Sequence, residues 1–249
     1  MLGFSFSVQS YPTRAEMGKA AADETARLMK KLLDEKKQIT MIFAAAPSQN
    51  EMLQALAAHT ELDWSRVTAL HMDEYVGLTE GAEQTFSSYL KQHIFDLLPF
   101  GEVHYIRGYS DDPEAECKRY TELFRKNPID IVCMGIGENG HIAFNDPPVA
   151  DLKDPLVIKQ VELDGVCRMQ QVHDGCFPTL DDVPTHALTL TVSALMSAKH
   201  HICVVPAKSK AQAVYNTVYG PIGEATPATA LRLSHDAKLY LDEDSAALL

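Results

Sequence analysis

Basic residues are scarce in this chain: 22 lysines and arginines stand against 34 aspartates and glutamates, a formal net charge of −12. That imbalance argues against nucleic acid or an anionic membrane as a partner, since either would be repelled at long range. It says nothing against a small anion, which a few N–H groups and one or two cations hold locally. Long apolar runs are also missing, and no stretch approaches the roughly 20 residues of a membrane-spanning helix. The opening residues, MLGFSFSVQSYPTRAEM, turn polar by Gln9 without a basic leader, so no signal peptide is expected. Cysteine is sparse and unpatterned: Cys117, Cys133, Cys167, Cys176 and Cys203 are odd in number and include no Cys-x-x-Cys pair. Such usage points to idle or buried thiols in a reducing, cytoplasmic compartment, not to a disulfide framework or a zinc site.

What is present is a regular alternation of strand and helix periods. Residues 13–37 read as a long amphipathic helix, 39–46 (ITMIFAAA) as a strand buried on both faces, and SQNEMLQALAAH as the next helix. Ser48 and Glu51 have the spacing of a capping box. A strand at 66–72, a helix at 85–98, the short strand VHYI, a helix over PEAECKRYTELFRK and a strand at 129–137 follow in turn. Residues 145–185, rich in Asp and Pro, predict an irregular, lid-like excursion with some strand. Regular structure then resumes with a strand, a short helical segment and another buried strand between Ala187 and Ala207. A helix over SKAQAVYNTVYG and a terminal strand AKLYLD complete the pattern. The expected fold is α/β, a mostly parallel sheet covered by helices on both faces, with 1–249 forming a single domain. Ligands in such folds sit beyond the carboxyl ends of the strands.

Four connections at those ends carry candidate chemistry. In GIGENGHIAFNDPP, from Gly135 to Pro148, glycines let the backbone approach a ligand, and His141 is followed by Asp146. An imidazole moves protons near neutral pH, and a neighbouring carboxylate orients it. The strand RVTALHM runs into Asp73 and Glu74; two acids after a buried strand are costly to desolvate unless one faces a crevice, and Asp73 is the candidate base. His71, inside the strand, reads as a packed, hydrogen-bonded histidine. The turn AAAPSQNE presents a helix start with Ser48, a phosphate-sized anion site or merely a cap. Lys208 and Lys210 flank Ser209 at another helix start, where a cation is unfavourable unless an anion joins it.

Taken together, these residues resemble the glucosamine-6-phosphate deaminase (isomerase) family, relatives of the 6-phosphogluconolactonases. The resemblance spans nearly the whole chain and rests on Met72-Asp73-Glu74-Tyr75, GIGENGHIAFNDPP, VPTHALTLTVSALMSA and Ser209-Lys210-Ala211. Ile142-Ala143-Phe144-Asn145 sides with the deaminases over the lactonases. The resemblance implies a Rossmann-like fold and a reaction free of metal or cofactor, in which an amino-sugar phosphate and water give the ketose phosphate and ammonia. It assigns Asp73 to proton transfer between C2 and C1, and His141 to ring opening with Asp146 tuning it. Lys210 is assigned to the phosphate, with Gly137 in the substrate loop. Departures are visible: Asn139 stands where many members carry Asp, and Asp146 where Glu is usual. AAAPSQN replaces the usual phosphate loop, so Ser48, Gln49 and Asn50 are placed by position. Arg168 is the nearest candidate for an arginine often found near the lid, with His173 behind it. Asn139 is expected to orient the imidazole. A lactonase and a non-catalytic sugar-phosphate binder stay open as alternatives, as does assembly into a homo-oligomer.

Overall fold

A computed structural model describes residues 5–147 and 149–249. Its centre is a seven-stranded sheet in the order β1-β10-β9-β6-β2-β3-β5, every neighbouring pair parallel. The strands are β1 (Phe6–Tyr11), β2 (Ile39–Phe43), β3 (Val67–His71), β5 (Glu102–His104), β6 (Ile131–Met134), β9 (His200–Val205) and β10 (Ala237–Asp242). In β2, β3 and β6 every residue is buried, as continuous apolar runs in a two-sided sheet require. A second, antiparallel sheet joins β4 (Asp73–Tyr75), β8 (His186–Leu190) and β7 (Ile158–Glu162). The expected α/β architecture is therefore the observed one.

Local chemistry sets the helix starts. α1 (Arg14–Glu35) begins after Thr13, whose hydroxyl accepts the Glu16 N–H at 3.2 Å and meets the Glu16 carboxylate at 3.0 Å. Ser48 and Glu51 form no capping box. Pro47–Gln49 is a 3₁₀ turn, α2 (Asn50–Ala57) starts without a side-chain cap, and Glu51 pairs with Arg14 through two contacts of 2.9 and 3.0 Å. The segment expected to be one helix over 85–98 is α3 (Phe86–Leu90) continued by a wider turn, Lys91–Phe95. α4 (Pro113–Lys126) starts on the Asp112 cap.

β1, β4 and one helix of the excursion escape the sequence reading, which ends the strand before β4 at residue 72. β1 is an edge strand with one half-exposed face, and it pairs with β10 from the other end of the chain. Within the excursion, α5 (Gly165–His173) is capped by Asp164, which accepts the Cys167 N–H at 2.7 Å. α6 (Val192–Met196) and α7 (Ala211–Tyr219) complete the helices used below. No helix among the described residues is long and apolar enough to cross a membrane.

His71 ends β3 fully buried, and its two ring nitrogens are both engaged. Nε2 accepts the Ile106 N–H at 2.8 Å, which leaves Nδ1 to donate to the Asp73 carbonyl at 2.9 Å. A neutral ring is required there, and burial pushes its pKa down to about 4, against the opposing hydrogen bond to Asp73. The folded state therefore refuses a proton that the unfolded chain accepts below about pH 6.5. This contribution to stability is complete above that pH and is lost as pH falls toward 4. Between pH 7 and pH 5 the expected loss from His71 is about 2 kcal/mol. Urea unfolding at both pH values measures it, and His71→Gln should show a shallower pH dependence than the wild type. A ring resonance of His71 that titrates near pH 6.5 in the folded protein would contradict this account.

Candidate active site

Beyond the carboxyl ends of β2, β3, β6 and β9 lies a cavity of about 130 Å³. Each strand delivers a loop to it: Ala44–Gln49, Met72–Asp73, Gly135–His141 and Pro206–Lys210 contribute, and α5 closes one side with Gln170, Gln171 and Asp174. The crossing of four strand ends brings together residues far apart in sequence. Asp73, His141, Lys210, Ser48, Gln49 and Gly137 all line the same hollow.

Asp73 and Glu74 point to opposite sides because successive residues of a strand alternate. Asp73 is 7% exposed and faces the cavity, and among the described residues nothing hydrogen-bonds its carboxyl group. Burial, with the neighbouring Glu74 charge second, raises its pKa well above the ordinary value of 3.8. Glu74 turns away and accepts the N–H groups of Tyr75, Phe86 and Ser87 at 3.0, 3.0 and 2.9 Å, which fastens the start of α3. Burial lifts its pKa to about 7 although these donors favour the anion.

The imidazole of His141 lies flat against Gly137. A Cβ built on Gly137 would stand 2.2 Å from both Cε1 and Nε2, so only glycine leaves room for the ring. The loop is pinned by Gly137 N–H donating to the His141 carbonyl at 2.9 Å, and it passes through left-handed backbone at Gly140 (φ +86°). Nδ1 of His141 comes within 2.9 Å of Asp146 Oδ1, with both residues buried. Burial disfavours a charged Asp146, but the His141 ring, the Asn139 amide and the Cys167 thiol beside it outweigh that and hold its pKa below 3.8. Asn139 does not touch the ring as expected. Its Nδ2 donates to Asp146 Oδ1 at 2.8 Å and its Oδ1 accepts the His141 backbone N–H at 3.0 Å, so it acts on the carboxylate and the loop.

Lys210 is only 6% exposed, and among the described residues its ammonium has neither an ion pair nor a hydrogen bond. Burial lowers its pKa, opposed by the more distant charges of Asp174 and Glu138. Lys208, by contrast, is exposed. Gln49 is buried; its Nε2 donates to Ser48 Oγ at 3.1 Å, and among the described residues its Oε1 has no partner. A buried acceptor left unpaired is costly, and Gln49 lines the same hollow as Lys210.

Four expected site residues do not line the cavity: Asn139 and Asp146 act on it through His141 and its loop, and Asn50 and Arg168 lie elsewhere. The 3₁₀ turn sends Asn50 toward Tyr89, whose hydroxyl lies 2.5 Å from Asn50 Oδ1. Arg168 serves the excursion itself, donating through Nη2 to the Leu180 and Val183 carbonyls at 2.7 and 2.9 Å. His173 is exposed at the end of α5. Sequence reasoning missed Gln170, Gln171, Asp174 and Cys167. The available signal was Asp164, an N-cap ahead of a helix whose 167, 170, 171 and 174 positions share one face.

Comparison with known proteins agrees with this geometry. The chain matches the family model described as glucosamine-6-phosphate isomerases/6-phosphogluconolactonase over residues 12–240. The glucosamine-6-phosphate deaminase of Lactobacillus delbrueckii subsp. bulgaricus is 32% identical over 237 residues, covering 94% of this chain and 96% of that one. The same-named protein of Listeria monocytogenes serotype 4a is 34% identical over 212 residues, covering 85% of this chain and 88% of that one. Among solved structures, a monomeric glucosamine-6-phosphate deaminase superposes with a TM-score of 0.89 at 30% identity, over 98% of this chain and 100% of that one. A 6-phosphogluconolactonase from Thermotoga maritima shares the fold, with a TM-score of 0.78 at 18% identity over 96% of this chain and 100% of its own. With a parallel sheet, a glycine-set histidine and a buried lysine at the predicted strand ends, the chain belongs to the glucosamine-6-phosphate isomerase/6-phosphogluconolactonase family.

Proposed function

We propose that this protein is a cytoplasmic amino-sugar-phosphate deaminase and isomerase, converting glucosamine 6-phosphate or a close epimer, with water, to the ketose 6-phosphate and ammonia. Deaminase relatives at 30–35% identity support it, while the lactonase structures, at 14–18%, share only the fold. The observation that carries the reading is the shared cavity: a carboxylate without a partner, an imidazole backed by a carboxylate, and a buried unpaired ammonium. Hydrolysis of a lactone gives no task to the unpartnered Asp73, whereas moving a carbon-bound proton requires a base. The five free cysteines accord with a reducing compartment.

The chemistry follows from the groups. The phosphate sits against Lys210, among the described residues the one buried cation lining the cavity. Nε2 of His141 moves a proton from O1 to O5, which opens the ring, while Asp146 steadies the imidazolium. Asp73 takes the proton from C2 while O1 gains one from solvent, giving an enolamine, and returns its proton to C1, giving an imine, protonated on nitrogen, at C2. Water adds to that imine and ammonia leaves. Raised basicity suits Asp73 to a weakly acidic C–H, since a proton acceptor works best when its pKa approaches the working pH.

Release of ammonia and of ketose phosphate, scored separately across glucosamine, galactosamine and N-acetylated 6-phosphates, tests the proposal. Ketose formation without ammonia, or no product from any free amine, would overturn it. Asp73→Asn should lower kcat by about 10²–10⁴-fold with little change in KM. The acid limb of kcat/KM should lie well above 3.8, because burial raises that group; a limb near pH 4 counts against Asp73 as the base. Lys210→Ala should act chiefly on KM, by roughly 10–100-fold, the scale of a hydrogen bond to a charged group. Gly137→Ala should leave circular dichroism unchanged but reduce kcat at least tenfold, since its methyl group takes the space of the His141 ring.

A further inference from the structure

Behind His141, three donor atoms of different kinds converge, and Asp146 and Cys167 stand outside the cavity lining. A ring nitrogen of His141, a carboxylate oxygen of Asp146 and Sγ of Cys167 all lie within 4.8 Å of one another, and all three residues are buried. Nδ1 of His141 sets the cluster apart from an ordinary hydrogen-bonded group. It is enclosed and stands 2.9 Å from Asp146 Oδ1 in a contact that lacks the alignment of a hydrogen bond, and among the described residues it has no other partner.

We propose that His141, Asp146 and Cys167 form a site for a borderline-soft divalent ion, Zn²⁺ by its chemistry, and that occupation of this site arrests the enzyme. One nitrogen, one oxygen and one sulfur are the donors zinc takes, at about 2.0–2.3 Å in a tetrahedral shell, and a water completes the fourth position. Mg²⁺ and Ca²⁺ call for oxygen ligands and fit this set poorly. On binding, the Cys167 thiol releases its proton to solvent and its sulfur binds the ion as thiolate; no electron changes hands. The Nδ1 lone pair is committed to the metal, which fixes the ring proton on Nε2. His141 then cannot accept a proton from a sugar hydroxyl, a consequence that rests on its proposed role in ring opening. Cys167 belongs to α5 while His141 and Asp146 belong to the loop after β6, so the ion also ties the excursion to the sheet.

Co²⁺, a spectroscopic substitute for zinc, tests the site without reference to turnover. Wild-type protein, reduced and stripped of metal, should take one Co²⁺ per chain with a sulfur-to-cobalt charge-transfer band and the intense visible bands of tetrahedral cobalt. Zn²⁺ should displace it, raise the melting temperature and stop ammonia release. Cys167→Ala should lose the charge-transfer band and weaken Zn²⁺ binding, followed by competition with a chromophoric chelator, by more than roughly 100-fold, beyond the loss expected for a mere outer-shell partner. Cys176→Ala, which alters a partly exposed thiol outside the cluster, should keep both the band and the affinity. Absence of the band in the wild type, or its survival in Cys167→Ala, overturns the site. Full turnover with the site filled overturns the arrest. A protein that releases no ammonia in the absence of metal disproves the proposed activity instead, and leaves the absorption test intact.

Discussion

Two ionisable groups of opposite kind, held out of water and apart from one another, govern this structure. Asp73 and Lys210 are each more than nine-tenths buried, and among the described residues neither has a partner of opposite charge in contact. Leaving an ionisable group in that state opposes folding by several kcal/mol, and it persists only where the surrounding structure over-determines it. The parallel sheet supplies that determination. Its inner strands are buried on both faces, and their ends place four loops around one small hollow.

The residues flanking Asp73 show how the position is enforced. His71 holds the Asp73 carbonyl from one side and the Ile106 N–H from the other, joining β3 to the segment after β5. Glu74 fastens α3 through two of its backbone donors, and Phe86 at the start of that helix lines the same cavity as Asp73. Asp73 itself pairs across to Thr189 in the small antiparallel sheet. With the backbone on both sides committed, Asp73 is held at the cavity, where its carboxyl group has no hydrogen-bond donor among the described residues.

The core was legible in the sequence because a strand buried on both faces is written as an unbroken apolar run, as in ITMIF, VTALH and IVCM. β1 was hidden because an edge strand keeps polar residues on its open face and its partner lies more than 200 residues away. α5 was hidden because its polar side chains face a cavity, which removes the contrast between wet and dry faces on which helix periodicity depends. The same distinction divides the site. Asp73, His141 and Lys210 sit at or just past strand ends, a place the βα rhythm fixes. Asn50 and Arg168 depend on how a turn rotates and where an excursion folds back, and no local pattern records either. Asn139 lay between these cases: its loop was identified, but which atoms it reaches depends on the backbone from Gly137 to His141.

The acids around Lys210 look at first like a defect in an anion site. Asp174 lines the cavity with it, and Glu138 lies close enough to be felt. Without them, burial alone would press the ammonium toward its neutral form, which holds a phosphate by hydrogen bonding but not by charge. Interaction between charges falls with separation, and neither carboxylate is in contact with the ammonium, whereas a bound phosphate would touch it. Acids at that range oppose the effect of burial while the site is empty, and they are outweighed at contact once an anion arrives. A buried cation with two weaker, more distant opposing charges around it thus favours a doubly charged group seated directly on Lys210 over a singly charged one placed loosely beside it.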